Sequence, residues 1–122
     1  MNKIPLATAF LASIFFGLFL LATDPELWDN APSHAYGLIG LIAVDVAVLA
    51  YVVGRAGRYL RYIPYLGAVK LLIIVGDILT APQFGLTYLE FAQYLFGLWA
   101  YTGLVASQIA ISVSSYIISR RT

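Results

Sequence analysis

The chain has 122 residues, of which 61% are hydrophobic and only 11% charged, with a net charge of +1. Soluble domains carry roughly 25% charged residues, and a fold this short has too little interior to hide so much apolar surface, so we expect one domain with the bilayer as its solvent. The near-neutral balance excludes an electrostatic footprint for nucleic acid; the lack of cysteine excludes disulfides, thiolate metal centres and thiol–disulfide chemistry, and the single histidine, His34, excludes a bis-histidine haem within one chain.

A transmembrane helix needs about 20 mostly apolar residues to cross a hydrocarbon core of about 30 Å. The first candidate runs from Ile4 to Ala22, with Pro5 in its first turn, where a missing N–H costs nothing. It is longer than the roughly 7–15 residues of a leader's apolar core and no A-x-A site follows, so we expect a retained span. Asp24 before Pro25 then predicts the cap of a short interfacial helix carrying Trp28.

The second candidate spans 35–53, with Ser33 as a plausible N-cap, and the third spans 63–80, opened by Pro64. Thr87 to Glu90 reads T-x-x-E, a capping box, with Leu86 and Phe91 in the positions of a hydrophobic staple. The fourth helix is expected to run without a break over 88–118, about 45 Å at 1.5 Å per residue, and so to tilt or project from the membrane. The expected fold is an all-α four-transmembrane-helix bundle.

Orientation follows from the basic residues. Lys3 precedes helix one, Arg55, Arg58 and Arg61 separate helices two and three, and Arg120 and Arg121 follow helix four. The other two loops hold no Lys or Arg and carry Asp24, Glu26, Asp29 and Glu90. The positive-inside rule puts both termini and the middle loop in the cytoplasm of a multi-pass cell-membrane protein. The arginine series, interleaved with Tyr59 and Tyr62, is foremost an orientation signal and is spaced to hold anionic lipid headgroups.

Asp45, Lys70 and Asp77 fall inside the apolar spans, where each costs about 2.5–3.5 kcal/mol on insertion scales and so needs a partner or a purpose. Asp45 lies about 13 Å and Lys70 about 10 Å from the cytoplasmic ends of their helices, which predicts an Asp45–Lys70 ion pair between helices two and three. Asp77 lies two turns beyond Lys70, with no basic residue expected at its level, and is the candidate for titration or for an inter-subunit contact. Gln108, midway along helix four, calls for a partner on another helix. Small residues form stripes at Ser13 and Gly17, at Gly37 and Gly40, and at Gly103, Ser107, Ala110 and Ser114, spacings that allow close helix approach.

No phosphate loop, nucleophile–base pair or paired-carboxylate site is present, and the loop carboxylates around His34 are too unspecific to predict a metal. We therefore expect no catalytic residue, metal or cofactor in this chain, with lipid as its surroundings. The function expected is a non-catalytic accessory subunit packed against other integral membrane subunits. The alternative is a small ion- or proton-coupled carrier acting as a homo-oligomer through Asp77. The stretches TDPELWDNAPSHAYG (Thr23–Gly37) and TAPQFGLTYLEFAQYLFGLWAY (Thr80–Tyr101) resemble small archaeal membrane proteins of the kind found as accessory subunits of ammonia monooxygenase. That resemblance covers about a third of the chain. It implies that the copper chemistry belongs to other subunits, and it transfers no functional residue.

Overall fold

A computed structural model describes residues 4–30, 32–55 and 60–120. It is helical throughout, with no strand among the described residues: α1 (Ile4–Thr23), α2 (Pro25–Asn30), α3 (Pro32–Arg55), α4 (Ile63–Gly76), α5 (Tyr88–Gly97) and α6 (Trp99–Arg120), with 3₁₀ turns at Leu60–Tyr62 and Asp77–Phe84. Four stretches, Ile4–Thr23, Pro32–Gly54, Ile63–Phe84 and Trp99–Arg120, are long and apolar enough to cross a membrane. One end of the bundle gathers Arg61 and Arg120, and the other gathers α2, α5, Asp24, Asp29 and Glu90; we call these the basic and acidic ends.

The helices do not close evenly. α1 packs on α6 and α3, and α6 packs on α1 and α4, whereas α3 leans chiefly on α1 and the short α2. The chain order of contact is therefore α3–α1–α6–α4. Two apolar clusters fill the interior. Leu6, Phe10, Val52, Ile63 and Ile111 lie toward the basic end, and Leu20, Ile74, Phe91, Tyr101 and Leu104 lie toward the acidic end.

Glycine sets the closest approach. A Cβ on Gly67 of α4 would meet Ser112 side-chain atoms and come within 3.1 Å of the Gln108 carbonyl oxygen of α6. Ser112 fixes this seam by donating from Oγ to the Pro64 carbonyl at 3.0 Å, using an acceptor near the start of α4. Gly17 of α1 lies just as close to α3, since a Cβ there would stand 3.0 Å from Ile42.

Three boundaries differ from the sequence expectation. The helix expected over 35–53 starts at Pro32, so Ser33 lies inside its first turn rather than capping it. The third span is α-helical only to Gly76; from Asp77 it tightens into a 3₁₀ run that contains Pro82 and ends at Gly85, whose φ of +72° suits a residue without a Cβ. The fourth helix is not continuous over 88–118. It breaks at Leu98, which is extended (φ −84°, ψ 114°) behind Gly97. Thr102 Oγ1 donates to the Phe96 carbonyl at 2.9 Å, satisfying one of the acceptors the break leaves over. The long projecting helix is thus replaced by a short α5 folded over the acidic end and a spanning α6. Of the arginine series, Arg55 ends α3, Arg61 donates to the Tyr62 hydroxyl at 3.0 Å, and Arg58 lies outside the described residues, as do Lys3, Tyr59 and Arg121.

Because the α4–α6 seam has no room for a side chain, Gly67→Leu should destabilise the bundle by about 1–3 kcal/mol through overpacking. Gly40→Leu, at a position with nothing within 4 Å of an added Cβ, should leave the monomer's melting temperature unchanged. Thermal unfolding of both variants in neutral detergent checks the difference.

Candidate functional site

One side chain from each long helix meets at the centre of the bundle. Lys70 of α4 pairs with Asp45 Oδ1 of α3, and the two side chains are only 2% exposed. Ser13 of α1 donates to Asp45 Oδ2 at 2.6 Å. Gln108 of α6 donates from Nε2 to Ser13 Oγ at 2.8 Å and to its own helix at the Leu104 carbonyl at 3.0 Å. The Lys70 ammonium also stands over the Phe10 ring, 5.8 Å from its centroid. This is a closed relay of donors and acceptors with one loose end: Gln108 Oε1 is buried with no hydrogen-bond partner.

The structure therefore brings Asp45 and Lys70 together, although α3 and α4 do not pack face to face. The lysine stem bridges the distance between the two helices. Gln108, which its polarity marks in the sequence, lands in the same cluster, and so does Ser13, which the sequence marks only as a small residue. Its hydroxyl proves to be the joint between α1, α3 and α6.

Toward the acidic end the arrangement changes. Asp77, at the point where α4 tightens to 3₁₀, faces His34 of α3 with 3.9 Å between Oδ1 and Nδ1. This corrects the expectation that no basic group stands at the level of Asp77. The separation is beyond hydrogen-bond reach, and the side chains of His34 and Asp77 keep 20% and 33% of their exposure. Below the pair, Tyr101 donates its hydroxyl to the Ile74 carbonyl at 2.8 Å, tying α6 to the last turn of α4.

Two cavities meet at this pair. An inner one of about 160 Å³ reaches down to Leu41, Ile73 and Leu104, residues within one turn of Asp45, Lys70 and Gln108 in their helices. An outer cleft of about 630 Å³ opens between α2 and α5 and is lined by Phe84, Phe91, Tyr94 and Glu90 among others. Asp24, Leu27, His34, Asp77 and Leu95 line both and form the neck between them.

The outer cleft owes its shape to local sequence. Thr87 and Glu90 close the capping box in both directions, at 3.1 Å and 3.0 Å, fixing the start of α5. The Thr87 backbone N–H, with help from its hydroxyl, holds the Glu90 carboxyl below its usual range, so it stays ionised. Phe91, at the staple position, is buried, and Leu86 packs against the same cluster. On the other side Trp28 of α2 donates from Nε1 to the Leu21 carbonyl at 2.7 Å, which pins α2 to the end of α1. No group of three or more His, Cys, Asp or Glu residues among the described residues is placed to hold a metal ion.

No protein-family model, curated protein or solved structure matches this chain.

The central cluster makes a direct prediction. Asp45→Asn or Lys70→Leu alone strands a buried charge and should cost about 3–5 kcal/mol, while the double variant should recover much of that loss. A thermodynamic cycle in detergent measures it, and strictly additive losses would mean the two groups do not interact.

Proposed function

We propose that this chain is a non-catalytic subunit of a larger membrane complex, inserted as four spans with both termini in the cytoplasm. The orientation reading rests on the positive-inside rule, since every basic residue outside the spans falls at the termini or in the middle loop. The single observation that carries the subunit reading is the outward side of α3. Gly40, Ala43, Ala47, Ala50 and Gly54 recur there at intervals of three, four, three and four residues, and all five are exposed. Asp45 points the opposite way, into the bundle.

A repeat of seven with small residues at both seam positions lets a second helix approach closely and cross at a shallow angle. Against lipid alone such a stripe gains nothing, because short side chains offer less apolar contact than Leu or Ile. Ser13, Asp45, Lys70 and the Gln108 amide nitrogen are meanwhile occupied with one another at the centre of the bundle, which suits a part that holds shape rather than one that moves charge. The resemblance of Thr23–Gly37 and Thr80–Tyr101 to accessory subunits of archaeal ammonia monooxygenase favours a membrane oxidase as the complex.

Native mass spectrometry of a mild-detergent extract should recover the chain with larger membrane partners in fixed ratio. Gly40→Leu with Ala47→Leu should release the chain as a folded monomer. Retention of the partners by that double variant would refute the role of α3.

A second reading, an ion- or proton-coupled carrier, is favoured by the half-exposed Asp77 at the neck between two cavities. It requires ion-dependent uptake into liposomes that contain this protein alone, abolished by Asp77→Asn.

A further inference from the structure

We propose that the neck and outer cleft at the acidic end bind a free organic cation with an apolar body, with Asp77 as its principal counter-ion. The proposal goes beyond both readings above, since equilibrium binding requires neither a partner complex nor transport.

Charge selects the sign of the ligand. Asp24 and Asp77 lie at the neck and Glu90 on the cleft wall, and among the described residues neither cavity has a Lys or Arg in its lining. The one basic side chain among the described residues of that lining is His34, and at 3.9 Å it leaves the Asp77 carboxylate without a hydrogen bond from it. An ammonium or phosphonium at the neck would stand among carboxylates inside low-dielectric walls, where attraction to a partner about 4 Å away is far stronger than in water.

Shape and chemistry of the walls select the body. From His34 a run of rings leads outward: His34 to Phe84 at 6.2 Å between centroids, Phe84 to Phe91 at 5.4 Å, and Phe91 to Tyr94 at 6.5 Å. The three contacts are edge-on, tilted and stacked in turn, and aromatic walls give broad apolar contact and attract cations to exposed ring faces. The cleft, at about 630 Å³, lies within the range of pockets that hold small organic ligands, roughly 300–1,000 Å³. The inner cavity, at about 160 Å³, admits only a small substituent, so the charge sits at the neck and most of the body stays outside it. A two-chain lipid would have to leave its acyl chains among charged loop residues to bring its headgroup to the same place, which is why we commit to a free ligand.

The test uses the full chain purified in a neutral maltoside detergent, with radiolabelled tetraphenylphosphonium as probe and neutral triphenylphosphine oxide as competitor. Saturable binding of the cation is expected, with no displacement by the neutral compound. Asp77→Asn should weaken binding at least about tenfold, as befits loss of one ion contact in a partly shielded site. Asp29→Asn, outside both cavities, should leave it unchanged. Leu27→Trp, which fills the neck without altering charge, should abolish binding and provides a second arm should Asp77→Asn fail to fold. Equal affinity for the neutral compound, unaltered binding by folded Asp77→Asn, or binding that survives Leu27→Trp would each overturn the proposal. So would displacement of the probe by phosphatidylethanolamine, which would assign the site to a lipid headgroup.

Discussion

A lysine and an aspartate buried at the middle of an apolar bundle must find each other, and everything else in this fold is arranged around that requirement. Neither side chain has water to turn to, and either alone would be costly in such surroundings. Their pairing does not merely cancel two charges. Asp45 has a second carboxylate oxygen, which takes the Ser13 hydroxyl, and Ser13 in turn accepts from Gln108. Four helices are thereby fixed in rotation about their own axes by one cluster, something apolar packing alone specifies poorly because Leu and Ile fit many registers.

The cluster also explains how α3 belongs to the bundle at all. Its backbone contacts are chiefly with α1 and α2, and it has no broad face against α4. The Asp45–Lys70 pair is the tie across that side, with the His34–Asp77 approach a looser one nearer the acidic end. Between these two ties the side chains leave the inner cavity. A tight polar clamp in the middle with a half-open contact above it produces a chamber that opens one way, toward the acidic end. Gln108 Oε1, buried and unsatisfied, marks where the clamp is least complete, on the α6 side.

Much of this was legible from residue order alone, and the parts that were not have identifiable causes. Counting 1.5 Å per residue from the helix ends put Asp45 and Lys70 at matching depth, and the capping box of Thr87 and Glu90 was readable because it is a purely local pattern. Counted the same way, His34 and Asp77 lie about 30 Å and about 21 Å from those ends, so their approach, 3.9 Å in the structure, is not legible from depth. The break at Leu98 has no strong local signal: Gly97 is tolerated in many helices, and what ends α5 is tertiary, the turn of the chain over the acidic end with Trp99 set 4.5 Å from the Phe19 ring of α1. Of the small pair Gly37 and Gly40, only Gly40 belongs to the repeat on the outward side of α3; Gly37 lines the inner cavity. The repeat's full length appears only when exposure separates the seam of Gly40, Ala43, Ala47, Ala50 and Gly54 from the neighbouring core positions.

These features divide the molecule by mechanical role. The basic half, beyond the central cluster, is filled by Leu6, Phe10, Val52 and Ile111, and in the α4–α6 seam a Cβ added at Gly67 would come within 3.1 Å of the Gln108 carbonyl oxygen. The acidic half is assembled from short pieces, α2, the 3₁₀ run and α5, joined by caps and a few ring contacts. Short elements with local hydrogen bonds open more readily than long packed helices, so local opening is expected in this half first. A ligand at the neck would bridge α3 and the end of α4 at the looser of their two ties, and would draw α3 toward the bundle from the side away from its small-residue seam. The cleft and the seam thus share one helix, α3. Any occupant of the first that prefers a particular position of α3 must alter affinity at the second by the same factor, since coupling between binding sites is reciprocal.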